Sequence, residues 1–122
     1  MPVTLLETDD RNGVTRMPDP AIVKEGTGAS AIWNGVDLGA GMLLCGQWIG
    51  QPGELTVRPR QHHEMFTVVS GLIELIEPDG SVTRIGPGQA SFIPKGWSGT
   101  WRTVVKTRKT YALLKALPPE TP

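Results

Sequence analysis

From Ala31 onward, short runs of aliphatic and β-branched residues alternate with breaks rich in glycine and proline. "AIW" is followed by "NGVDLGAG", "MLLCGQWI" by "GQPG", and "ELTV" by Pro59. "EMFTVV" then meets "SG", "LIELIE" meets "PDGS", "VTRI" meets "GPGQ" and "ASFI" meets "PKG". "KTYALLKAL" is the last such run before "PPETP". Runs this short at this spacing predict the strands of an all-β sandwich or barrel. No window of helical length sustains a 3.6-residue apolar period. "LIELIE" has the length of a helical turn or two, but Pro78 and Asp79-Gly80 stop it and its residues favour strands. "LIELIEPDGSVTRI" therefore predicts a hairpin, because Asp79-Gly80 supplies the positive φ values of a tight turn.

The residues before Ala31 are polar and interrupted by Pro18, Pro20, Gly26 and Gly28. They predict an N-terminal arm over 1–30 with one short strand, wrapping the domain or a partner. A barrel over 31–117 and a tail over 118–122 complete the expected organisation. "GTGAS", at Gly26 to Ser30, lacks the third glycine and the following helix of a phosphate loop.

Composition narrows the function classes. A chain of 122 residues predicts one domain with a single core. The 15 glycines and 11 prolines suit many turns. Twelve basic and twelve acidic side chains cancel, leaving no electrostatic footprint for nucleic acid or an anionic membrane. The group Arg102, Lys106, Arg108 and Lys109 reads as the solvated face of a strand and its turn. Cys45 is the only cysteine, so no intrachain disulfide forms, and "MLLCGQW" predicts a buried thiol. "MPVTLLETDDRNG" lacks the pattern of a secretory signal. No apolar run approaches the ~20 residues of a membrane span. A cytoplasmic location is the expectation by default.

Two turns are more constrained than ordinary loops. Glu64 is followed after six residues by Gly71, and Gly88 after five by Pro94-Lys95-Gly96. With "GPGQASFIPKGWSGTW" and "EMFTVVSG", this spacing resembles the two motifs of the cupins. "PKGWSGTWRTVVKTRKTYALL" and the upstream "GQWIGQPGELTV" resemble, more narrowly, small single-domain cupins. Relatives of that group include (S)-ureidoglycine aminohydrolases and an ethanolamine-utilisation accessory protein. The likeness covers roughly residues 31–114. It implies a double-stranded β-helix, an antiparallel jelly-roll barrel of six to eight strands, assembled as a homodimer.

The resemblance also implies a metal site of three imidazoles and one carboxylate, which this chain does not reproduce. With Glu64 in the carboxylate slot, Arg58 and Arg60 stand where two histidines belong, and Gly99 occupies the third slot. Guanidinium has no lone pair to offer a metal, and glycine has no side chain. His62 and His63 lie between the usual positions. In an extended strand His62 and Glu64 would share a face while His63 points away. A site of His62, Glu64 and His63 holding one divalent Mn, Fe, Ni or Zn stays open. The other reading leaves one histidine in solvent and one hydrogen-bonded at the barrel mouth, with no cofactor.

A carboxylate facing a barrel interior is costly unless paired. Arg58 or Arg60 is the expected partner of Glu64, with the other arginine facing an anionic ligand. Trp48 and Trp97 are expected as pocket walls, Trp101 as barrel filling, and Tyr111 as a hydroxyl reaching the cavity. The leading expectation is a cupin that binds a small polar or anionic metabolite, with any acid–base step falling to Glu64 or His62. Two alternatives stand beside it. One is a metalloenzyme acting on a nitrogen-containing metabolite, and the other is a noncatalytic accessory dimer.

Overall fold

The computed structural model describes residues 2–8, 13–39 and 42–115, and the expected tail over 118–122 lies outside them. Among these residues nine strands follow in order. They are β1 (Val14–Arg16), β2 (Val23–Gly26), β3 (Ser30–Leu38), β4 (Leu43–Gly50), β5 (Gly53–Val57), β6 (His63–Ile76), β7 (Val82–Ile85), β8 (Ala90–Ile93) and β9 (Gly99–Leu114). A 3₁₀ turn, Pro20–Ile22, is capped by Asp19, whose carboxylate accepts from the Ala21 N–H. Among the described residues no helix is long and apolar enough to cross a membrane.

All pairings are antiparallel, and the long strands β6 and β9 run side by side through the middle. The far edge of β9 is shared by β4 and β5, and the far edge of β6 by β8 and β7. β3 extends the sheet beyond β4 to β1, and β2 closes it beyond β5. The expected arm thus contributes two short strands, where the sequence predicted one. The sheet curls into a jelly roll around Phe66, Val68, Ile73, Leu75, Ile85, Ile93, Trp101 and Tyr111.

"EMFTVV" and "LIELIE", read as two strands, form the single strand β6. Its pairing with β9 shifts register between Val68 and Ile73. The shift explains the burial. Glu64, Phe66 and Val68 point inward at even positions, whereas Ile73 and Leu75 point inward at odd ones. Strict alternation would have turned one half of the strand inside out. Gly71 sits in this bulge at φ 101°. The buried Thr107 hydroxyl bridges it, accepting from the Leu72 N–H at 3.0 Å and donating to the Val105 carbonyl at 2.8 Å.

The predicted hairpin forms as expected. Gly80 has φ 91°, its N–H donates to the Glu77 carbonyl, and the Asp79 carboxylate accepts from the Ser81 N–H.

Candidate functional site

The loop between β5 and β6 is fastened to the turn between β8 and β9. The Arg60 N–H donates to the Trp97 carbonyl at 3.0 Å, and the Gly96 N–H to the Arg60 carbonyl at 2.8 Å. The tight turn that Gly96 permits at φ 87° therefore fixes the backbone of Arg60. From there its side chain reaches Glu64, with Nη2 2.5 Å from Oε1. The other carboxylate oxygen accepts from Lys109 Nζ at 2.7 Å. Glu64 is 2% exposed and Lys109 5%.

Lys109 corrects the reading of a solvated strand face. β9 alternates except at Val105, which is exposed, and places Trp101, Thr103, Thr107, Lys109 and Tyr111 inside. Trp48 lies directly across from Lys109 on β4. The ammonium sits 4.2 Å from the Trp101 ring centroid and 4.7 Å from those of Trp48 and Phe66. Such contacts stabilise a desolvated cation. Arg102 and Lys106 do face outward.

The two buried partners shift in the same direction for different reasons. Burial pushes Glu64 up, but the charges of Lys109 and Arg60 and their hydrogen bonds outweigh it, holding the carboxyl below its ordinary 4.5. Burial pushes the Lys109 ammonium down, and the repulsion of Arg60 adds to that against the attraction of Glu64. One carboxylate serves two cations, so it is held charged while neither cation has it alone. A carboxyl depressed on folding contributes stability above its unfolded value and loses it as pH falls through its folded value. Urea unfolding followed from neutral pH down through 4.5 and below should show stability declining with acid. Glu64→Gln should flatten this slope, and an unchanged slope would show that other carboxylates set it.

Beside this cluster lies a cavity of about 530 Å³. Ile32, Leu44, Trp48, Leu55, Val57 and Trp101 give it apolar walls. Arg16, Arg58, Arg60 and Lys109 also border it, and among the described residues no acidic side chain does. Arg58 is 65% exposed and reaches Asp19 at 3.6 Å, tying the loop before β6 to the segment before β2. Arg16, Ile22 and Gly28 place that N-terminal segment in the cavity wall.

The expected site residues divide. Arg58, Arg60, His62 and Trp48 border the cavity, and Trp101, expected as filling, does so as well. Trp97 does not: its indole N–H donates to Glu77 at 2.7 Å. Tyr111 stands one residue back, donating to the Asn34 side-chain oxygen, and Asn34 faces the cavity. Burial pushes the Tyr111 hydroxyl up to about 12, which keeps it a donor.

His62 and His63 part company. His63 opens β6, accepts the Lys95 N–H on Nδ1 at 3.0 Å and stacks on Phe92. His62 lies in the preceding loop at the cavity. Among the described residues no three His, Cys, Asp or Glu side chains converge as metal ligands. Both oxygens of Glu64 are engaged by cations, so His62, His63 and Glu64 do not fit the donor set of a divalent metal.

Lys109, Arg16 and Asn34 were not among the expected residues. Only Lys109 carried a local signal, the alternation running between Trp101 and Tyr111.

The comparisons with known proteins agree with this architecture. A protein of unknown function from the DUF861 family of Pseudomonas syringae pv. tomato is 26% identical and superposes with a TM-score of 0.76. The match covers 83% of this chain and 43% of that one, so the chain spans less than half of the Pseudomonas protein. The Clostridium difficile EutQ protein is 18% identical with a TM-score of 0.67, covering 91% of this chain and 82% of that one. The polyketide cyclase RemF from Streptomyces resistomycificus is 21% identical with a TM-score of 0.64, covering 94% and 82%. These last two likenesses speak for the fold alone. No curated protein matches the chain. The model of the EutQ-like cupin domain matches residues 39–111, more than half the chain and both Glu64–Gly71 and Gly88–Gly96, and the chain belongs to that family.

Proposed function

We propose that this cupin binds a small organic anion with an apolar body, without a metal ion. The observation that carries the reading is the cavity's charge. Four cationic side chains border it, and the carboxylates that pair with them, Glu64 with Arg60 and Lys109 and the exposed Asp19 with Arg58, do not line it. An anionic head group meets Arg58 and Arg60 at the mouth, where guanidinium presents a planar fork to a carboxylate. The apolar body lies against Trp48, Leu55 and Trp101. A volume of about 530 Å³ falls within the range of small-molecule sites.

A thermal-shift series of branched and aromatic carboxylates tests the reading against their uncharged amides. At ~100 times Kd a carboxylate adds about 2.7 kcal/mol, enough to raise Tm by several degrees. Arg58→Ala should weaken binding about ten- to a hundredfold, the loss of one charge-assisted hydrogen bond. Equal shifts from carboxylates and amides, or none from either, would overturn the proposal.

A further inference from the structure

The geometry points to a chemical role for Lys109: we propose that its amine condenses with the carbonyl of a 2-oxo acid to form an imine within the cavity. The inference rests on the anion-binding reading above and narrows its ligand class. A lysine becomes a nucleophile when an apolar pocket strips its water or when another cation stands beside it. Lys109 has both. Trp48, Phe66 and Trp101 surround its nitrogen, and Arg60 is joined to it through the two oxygens of one carboxylate. Lys109 also borders the cavity, together with Trp48 and Trp101.

The same arrangement selects the ligand. Arg60 and Lys109 are separated by no more than the width of the Glu64 carboxylate and its two hydrogen bonds. A molecule with its carboxylate next to its carbonyl spans both, the carboxylate on Arg60 and the carbonyl carbon at Lys109. Its side chain then lies along the apolar wall.

The step balances without an oxidant or reductant. Glu64, 2.7 Å from Nζ, takes a proton from the ammonium. The free amine attacks the carbonyl carbon, a C–N bond forms, and the carbonyl π pair moves to oxygen, which collects the proton from Glu64. The nitrogen of this carbinolamine gives a second proton to Glu64, which returns it to the hydroxyl. Water leaves as the C–O bond breaks. The products are a protonated imine and one water, with charge unchanged.

Trapping tests it. The full chain is incubated with 3-methyl-2-oxobutanoate and sodium cyanoborohydride, and read by intact mass and peptide mapping. The expected result is one adduct per chain, located on Lys109 and not on Lys24, Lys95, Lys106 or Lys115. Lys109→Arg should lose it. Because that variant perturbs a buried cluster, the location of the adduct in the unaltered protein decides the matter by itself. Labelling that is absent, or spread over the exposed lysines, overturns the proposal. Isovalerate, which keeps the carboxylate and lacks the 2-oxo group, separates the two ideas. If it raises Tm and no adduct forms, the imine falls and anion binding stands. If it neither binds nor competes while Lys109 is still labelled, the imine stands and the anion reading falls.

Discussion

Glu64→Gln is expected to lower the unfolding free energy by about 3–5 kcal/mol, the cost of breaking a buried ion pair from one side. The glutamine keeps the shape but not the charge, leaving the Lys109 ammonium and the Arg60 guanidinium facing each other without an anion. Lys109 is 5% exposed and packed against three rings, so little water compensates its ammonium. The loss should appear in urea denaturation as a lower midpoint at unchanged slope. The pair need not stabilise the barrel overall, because desolvating two charges offsets most of their attraction. The double variant Glu64→Leu/Lys109→Met should therefore recover most of what Glu64→Gln loses. The coupling between the two positions is read from the double-mutant cycle. A Glu64→Gln loss below about 1 kcal/mol, typical of an unremarkable position, would mean that water reaches the cluster.

Gly71→Ala is the second large effect. A β-carbon there would lie 2.2 Å from Thr107 Oγ1, 2.6 Å from Thr107 Cα and 2.7 Å from the Lys106 carbonyl. Two of those three atoms are backbone of the paired strand, so relief requires β6 and β9 to separate where the register shifts. The positive φ adds about 1–3 kcal/mol of strain. Gly80→Ala is the control, since its φ of 91° carries a similar strain with nothing within 4 Å of the added carbon. The excess loss in Gly71→Ala over Gly80→Ala measures the clash, and equal losses would show that the bulge adapts.

The sequence disclosed the fold more fully than the site, and β6 and β9 show why. Turn residues and short apolar runs are local, so the strands and the Asp79-Gly80 hairpin were readable. The continuity of β6 across Gly71 was not, because a glycine after an apolar run marks a bulge or a turn equally well. Glu64 and an arginine partner were legible because a buried carboxylate demands a cation. The second cation was hidden by composition: Lys109 sits among Lys106, Arg108 and Arg102, and a basic cluster reads as solvent-facing. Counting by twos from Trp101 or back from Tyr111 puts it inside. Arg16 and Asn34 reach the cavity through pairings that no local pattern encodes. The pull of Trp97 toward Glu77 is likewise set by tertiary packing.

The seam between β6 and β9 also orders events in time. His63 pairs with Leu114, and Ile76 with Thr100, so the inner strands meet only after most of the described chain exists. A ribosome delivers Glu64 first and Lys109 forty-five residues later. During that interval the carboxylate has Arg60 within reach but lacks the ammonium that accompanies it in the closed barrel. Its second cation arrives with Trp101 on one strand, to meet Trp48 and Phe66 already made, and that strand completes the core. The strand that closes the sheet against β6 is therefore also the one that completes the charge cluster.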